Sequence, residues 1–264
     1  MKNRLIEKIR EARRKRRKLF AAFLTLGYPN LRATEKLIEG FAERGVDIIV
    51  LGFPFSDPLA DGPTIQFSSE AALKKGVTLQ DAFRLTQNLR RQGVEIPILF
   101  FSYLNPIYHF GIKRFPRMLK KAGFDGLIVP DCPPEEDREL WHRCHASGIA
   151  PVFLMAPTTT SARARKIFAS SQGFLYYVSL RGVTGARKAL PTDLAKNLRR
   201  VARLSSKPVL AGFGVSTPKQ VRQISKAADG VIVGSAIVER IRRSGGRLNP
   251  ALDFVASLVR ALRN

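Results

Sequence analysis

Two carboxylates share one short loop. The apolar run Val46-Asp47-Ile48-Ile49-Val50-Leu51 breaks at Gly52, and Asp57 and Asp61 follow, set among Pro54, Pro58, Gly62 and Pro63. A carboxylate fixed just past a buried strand can accept a ligand N–H, stabilise developing positive charge or move a proton. Two glycine turns lie far downstream, Ala211-Gly212-Phe213-Gly214-Val215 and Val233-Gly234-Ser235-Ala236, the second opening a predicted helix. Glycine lets backbone approach a ligand closely, and a helix N-terminus offers N–H groups and a positive dipole, so the pair reads as a phosphate site. Gly182-Val183-Thr184-Gly185 is a third glycine-bearing stretch that could add backbone donors. His142 and His145 sit three apart around Cys144. They fall on a helix expected outside the core, and no metal site is assigned to them.

These groups need a frame. Short β-rich runs recur at Leu19–Leu24, Asp47–Leu51, Ile98–Ser102, Gly126–Val129, Pro151–Met155, Phe174–Ser179, Pro208–Ala211 and Gly230–Val233. Most are continuously apolar, as parallel strands covered on both faces must be. Helical spacing fills the gaps. Thr34, Leu37, Ile38 and Phe41 repeat at i, i+3, i+4 and i+7 ahead of Gly45, and Phe115, Met118, Leu119 and Ala122 do so ahead of Gly123. Pro134 is placed to open a helix with Glu135, Glu136 and Asp137 in its first turn, and Asn249-Pro250 to open the last one. Strands alternating with helices predict a single-domain (β/α)8 TIM barrel spanning residues 1–264, with an extra N-terminal helix over about residues 2–17. In that architecture catalytic groups gather in the loops after the strands, where the carboxylate loop and both glycine turns lie.

Composition narrows the class. The chain has 264 residues, 45% of them hydrophobic, enough for one large core. No run reaches the roughly 18–20 apolar residues of a membrane span, and the Arg-rich N-terminus lacks a signal-peptide apolar segment, so a cytoplasmic protein is expected. Cys132 and Cys144 form no disulfide or metal pattern. The charge is strongly positive: 45 Lys and Arg against 21 Asp and Glu, net +24. Such a field attracts anions. The densest run, Arg13-Arg14-Lys15-Arg16-Arg17-Lys18, comes with no nucleic-acid motif, and basic residues continue along the whole chain. It reads as a solvated helix face, and a nucleic-acid partner is not expected.

The loop sequence Phe-Pro-Phe-Ser-Asp-Pro-Leu-Ala-Asp-Gly-Pro-Thr-Ile-Gln, residues 53–66, resembles the signature loop of the tryptophan synthase α subunit. The stretches FLTLGYPN, YLNPIYHFG, DCPPEE, YYVSLRGVTG, GFGVSTP and VGSAIV match further loops of that family in order, nearly end to end. The resemblance implies a lyase of tryptophan biosynthesis, which cleaves indole-3-glycerol phosphate into indole and glyceraldehyde 3-phosphate without metal or cofactor. It implies a β-subunit partner in an α2β2 assembly, with pyridoxal phosphate confined to that partner.

Residue by residue, the resemblance gives Asp61 the indole nitrogen and places Tyr103 and Tyr176 around the indole ring. It makes Thr184 the loop threonine that helps close the site. It assigns phosphate binding to Gly185, Phe213, Gly214, Gly234 and Ser235, and the β-subunit face to Pro54, Asp57, Asp131 and Pro133. The family's general acid–base Glu, just before Leu-Gly on the second strand, is matched here by Val50. Valine has no proton to give or take, and losing a positioned acid–base group slows a reaction by about 10² to 10⁴. Weak or absent cleavage is therefore expected, and a non-catalytic subunit that docks on and activates a β subunit is the alternative. Neither Asp47, of opposite strand parity, nor Glu70, beyond the loop, is placed to stand in.

Overall fold

A computed structural model describes residues 3–178, 194–212 and 214–263. Among these residues, nine parallel strands form one curled sheet: β1 (Leu19–Thr25), β2 (Ile48–Gly52), β3 (Ile98–Phe101), β4 (Gly126–Ile128), β5 (Ala150–Pro151), β6 (Leu154–Met155), β7 (Leu175–Val178), β8 (Val209–Gly212) and β9 (Gly230–Val233). Their order is β5-β4-β3-β2-β1-β9-β8-β7-β6. The two ends of that order, β5 and β6, are consecutive pieces of one chain segment. The sheet therefore closes into a barrel through the backbone of Val152 and Phe153. Val152 N–H donates to Leu127 on one side, and Phe153 C=O accepts from Tyr176 N–H on the other, at 3.0 and 3.1 Å.

The fifth strand was expected unbroken over Pro151–Met155, and proline explains the break. Ala150 and Val152 direct their N–H groups toward β4, to Asp125 and Leu127. The nitrogen of residue 151 faces the opposite side, and Pro151 has no hydrogen there to give. Pairing with β7 begins only at Leu154.

The helices follow the periodicity. Leu31–Glu43 buries Thr34, Leu37, Ile38 and Phe41, and Phe115–Ala122 buries Phe115, Leu119 and Ala122 before Gly123 takes left-handed φ. The helix expected from Pro134 starts instead at Arg138. Glu136 N–H closes a turn onto Pro133 C=O, and the Asp137 carboxylate caps Leu140 N–H at 2.8 Å. A side chain that satisfies the first-turn donors fixes where a helix begins, and Asp137 outranks Pro134 in that role. The leading helix is Arg4–Arg14, capped by Asn3, shorter than expected. The last helix is Asn249–Arg263.

Two buried carboxylates fasten these outer pieces to the bottom of the barrel. Asp125 accepts from Arg90 at 2.9 Å, from Arg4 at 3.4 Å and from Ile98 N–H at 3.0 Å. Asp47 accepts from Arg17 at 2.6 Å, Arg263 at 2.7 Å and Phe20 N–H at 2.8 Å. Asp47 is thus committed to the end of the barrel opposite the loops that carry the candidate chemistry. No described helix is long and apolar enough to cross a membrane.

Candidate active site

The carboxylate loop leaves β2 at Gly52 and turns over the barrel mouth. Asp61 N–H bonds back to Pro58 C=O at 3.0 Å, and Gln66 donates to Asp61 C=O at 2.8 Å. These bonds fold the loop so that the Asp61 side chain is 8% exposed, whereas Asp57 points to solvent, accepting from Ser56. Pro63 then sets the first turn of the helix Pro63–Leu73. Glu70 lies on that helix, paired with Lys74 at 2.8 Å and away from Asp61's surroundings.

Asp61 is joined to Tyr103, just past β3. The Tyr103 hydroxyl donates to Asp61 Oδ2 at 3.0 Å and accepts from Ala60 N–H at 3.0 Å. Burial pushes the Asp61 carboxyl up to about 6, and the Tyr103 bond only partly offsets that rise. Burial and the nearby Asp61 charge push the phenols of Tyr103 and Tyr176 upward, so both stay protonated donors.

Asp61 opens onto a partly open cavity at the C-terminal ends of the strands. Phe23 and Phe101 wall it from β1 and β3, Ile65 from the loop helix, and Leu154, Tyr176 and Val178 from β6 and β7. Gly212, Gly214, Gly234 and Ser235 complete the rim. Gly212 is required to be small, since a Cβ there would lie 2.6 Å from Tyr176 Cε2. Gly214 adopts φ +63°, a conformation glycine takes without strain. Gly234 leads into the helix Ser235–Arg243, whose first residue, Ser235, borders the cavity. Thr184, Gly185 and Phe213 lie outside the described residues.

Val50 occupies the inside of the barrel. It is registered between Phe23 of β1 and Leu99 of β3 and is fully buried. In-register neighbours of a parallel sheet share a face, and Phe23 faces the cavity. One inward step higher comes Gly52, where a Cβ would meet Phe23 Cζ at 2.4 Å. The Phe23 ring therefore leans across β2 above Val50 and meets Phe101 edge-on, with centroids 5.6 Å apart. Asp61 is the sole carboxylate among the described residues lining the cavity.

The profile of the family described as tryptophan synthase alpha chain matches residues 9–263. The chain belongs to that family. It is 42% identical over 258 residues to the tryptophan synthase alpha chain of Dehalococcoides mccartyi, covering 98% of both chains. It is also 42% identical over 237 residues to that of Aquifex aeolicus, covering 89% of this chain and 90% of the relative. Among solved structures, the tryptophan synthase subunit alpha of Legionella pneumophila superposes with TM-score 0.92 at 31% identity, over 99% of each chain. A Mycobacterium tuberculosis tryptophan synthase structure superposes with TM-score 0.91 at 34% identity, over 100% of each chain. The (β/α)8 barrel read from the strand pattern is that of the tryptophan synthase alpha chains, a family of lyases.

Within this alpha-family barrel, Asp61, Tyr103, Tyr176, Gly214, Gly234 and Ser235 converge on the mouth. Pro54 is buried within the chain, Asp57 and Asp131 are exposed, and Pro133 is half-buried. Asp131 accepts from Leu104 N–H at 3.0 Å, at the start of the helix Leu104–Phe110. Leu59 on the carboxylate loop, 87% exposed, and Tyr108 on that helix present apolar surface. The apolar lining, Phe23, Ile65, Phe101 and Leu154, was not singled out from sequence. Inward parity beside Val50 is the signal that marks Phe23 and Phe101. His145 pairs with Gln172 on the outer helix Arg138–Ser147, at 2.7 Å, and is not part of the cavity lining.

Proposed function

We propose that the chain is an alpha-type subunit that takes indole-3-glycerol phosphate into the barrel mouth and cleaves it poorly. Asp61 accepts the indole N–H. Tyr103 and Tyr176 flank the ring. The turns at Gly212–Gly214 and Gly234–Ser235 receive the phosphate, together with Gly185 and Phe213, and Thr184 helps close the site.

Cleavage requires a proton at indole C3, which leaves positive charge on the ring nitrogen beside the Asp61 carboxylate. Removal of the proton from the neighbouring side-chain hydroxyl then turns that carbon into a carbonyl. The carbon–carbon bond breaks, and its electron pair returns to the ring. The products are indole and glyceraldehyde 3-phosphate, with protons balanced and no cofactor consumed. Asp61 can hold the charge. The proton moves at C3 and at the hydroxyl need a second acid–base group, and the inward position that would carry it is Val50. That observation carries the reading.

The same observation favours a docking role. The surface bearing Asp57, Leu59, Tyr108 and Asp131 is exposed, Pro133 is half-buried, and Pro54 is buried. That surface fits a tryptophan synthase β subunit, the site of pyridoxal phosphate chemistry, in an α2β2 assembly. The test measures indole release from indole-3-glycerol phosphate by the unaltered chain, alone and with a β subunit, and separately the rate at which that β subunit joins indole to serine. Release near background, with a faster β reaction on mixing, is expected. Release at rates typical of enzymes, about 1 s⁻¹ or more, would remove the proposal.

A further inference from the structure

The end of the barrel opposite the mouth carries a groove of its own. It lies between the C-terminal ends of the helices Leu79–Arg91 and Phe115–Ala122, and Arg4 of the leading helix borders it. Five cations line it, Arg4, Arg90, Arg91, Lys120 and Lys121, with Gln87 as the other polar side chain and no carboxylate among the described lining residues. Two of the five are committed. Arg90 donates to Gly123 C=O at 3.0 Å and to buried Asp125 at 2.9 Å, and Arg4 reaches Glu95 at 2.6 Å and Asp125 at 3.4 Å. Arg91, Lys120 and Lys121 have no acidic partner among the described residues. Arg91 and Lys121 are exposed, and Lys120 is half-buried.

A helix C-terminus attracts cations through its dipole, which accounts for Arg90 and Arg91 on one helix and Lys120 and Lys121 on the other. It does not account for how charge is sorted on this face. A second concavity, between the end of the helix Leu31–Glu43 and the turn after Arg91, is lined by Glu39, Glu43 and Glu95 and by no basic side chain. Glu39 and Glu43 stand at a helix C-terminus, where the dipole disfavours them. One groove is basic and its neighbour acidic, so an anion is drawn to the first and turned from the second.

The free groups suit phosphate. A guanidinium fork takes two phosphate oxygens side by side, and ammonium groups supply point charges. The free cations come from two helices, so an anion charged at several points along its length engages more of them than a single phosphate does. Phe124, the aromatic residue of the lining, is fully buried, which leaves recognition to charge.

We propose that this groove binds a chain of linked phosphates, a di- or triphosphate, through Arg91, Lys120 and Lys121, with Arg4 and Arg90 as a fixed basic wall. The site is distinct from the glycine turns at the mouth. Its ligand is either a free polyphosphate or the phosphate chain of a nucleotide.

The test is calorimetric titration of the full chain with inorganic tripolyphosphate, ATP and inorganic phosphate, at about 0.05 M and about 0.5 M salt. Tripolyphosphate is expected to bind at least about ten-fold more tightly than inorganic phosphate and to weaken sharply at the higher salt. ATP binding no tighter than tripolyphosphate supports the free chain as ligand, and ATP binding more tightly supports a nucleotide. Arg91→Gln, Lys120→Gln and Lys121→Gln together should weaken tripolyphosphate by about ten-fold, the summed loss of three exposed ion pairs. Arg91→Gln with Lys121→Gln, both at exposed positions, should give a smaller loss and covers the case in which the triple variant fails to fold. Arg14→Gln, Arg16→Gln and Arg260→Gln remove the same charge from exposed positions outside the groove and should leave the affinity within about two-fold. No binding of tripolyphosphate, equal affinity for inorganic phosphate, an affinity unmoved by the groove variants, or an equal loss in the control variant would overturn the proposal.

Discussion

Val50→Glu is the most informative single change in this chain. It places a carboxyl at the inward, fully buried position between Phe23 and Leu99, beneath the Phe23–Phe101 contact. Two effects of opposite sign follow. A positioned acid–base group contributes about 10² to 10⁴ in rate, so indole release should rise by at least about a hundred-fold. The site is also apolar and already filled, and adding atoms to a packed interior costs about 1–3 kcal/mol. Burial further raises the introduced carboxyl's pKa. A rise of about three units corresponds to about 4 kcal/mol once the group is forced to ionise. The sign is definite. The folded-state pKa lies above the unfolded one, so this penalty is absent below about pH 4 and grows until pH passes the folded value. In urea unfolding the variant should therefore fall below the parent by little more than the packing cost at pH 4, and by about 4 kcal/mol more at pH 8. Indole release is read in parallel by coupled assay, with a β subunit present. A variant that is folded, shows the pH-dependent loss and still gives no rate gain would refute the argument that a carboxylate at this position limits cleavage.

Other changes test neighbouring parts of the argument. Asp61→Asn should abolish ligand-dependent chemistry yet stabilise the fold at neutral pH: the carboxyl is raised from 3.8 to about 6 by burial, a penalty of about 3 kcal/mol that is absent below pH 4 and complete above pH 6. Comparing melting of parent and variant at pH 4 and pH 7 checks it, and equal differences at both pH values would count against the buried, raised carboxyl. Tyr103→Phe removes the one bond that holds the Asp61 pKa down. Carboxyl titration by NMR should show Asp61 moving above 6, and no upward movement would mean the hydroxyl does not bond to it. Arg90→Ala removes the shorter of the two guanidinium partners of buried Asp125 and leaves it the Arg4 contact at 3.4 Å and Ile98 N–H. Breaking a buried ion pair from one side costs about 3–5 kcal/mol, read as a lowered urea midpoint, and Asp125→Asn combined with it should recover part of the loss.

Sequence reasoning reached most of the barrel because parallel strands carry a dense apolar signal, and Gly230–Val233 was placed to the residue. It missed the break at Val152–Phe153, since an apolar run does not show which neighbour each N–H faces. Only the alternation around Pro151 reveals that. It misplaced the helix start at Pro134, because proline tolerates a helix's first turn without fixing it, whereas the Asp137 carboxylate bonds to Leu140 N–H. Asp61 and the glycine turns were legible from residue type and position after strands. The Phe23 ring above Val50 was not, because its placement depends on the room left by Gly52 across the sheet.

The interrupted fifth strand has a consequence for the whole barrel. It divides the sheet into two arcs, β1 to β5 and β6 to β9, laced together by the β1–β9 ladder on one side and by little more than two residues on the other. The cavity straddles that division. Phe23, Asp61 and Phe101 belong to the first arc, and Tyr176, Gly212 and Ser235 to the second. A molecule gripped at Asp61 and at Ser235 is a cross-brace between two half-shells. Occupying the mouth and holding the barrel shut become one event, and a ligand at a hundred times its Kd should add about 2.7 kcal/mol to the resistance of this seam to opening.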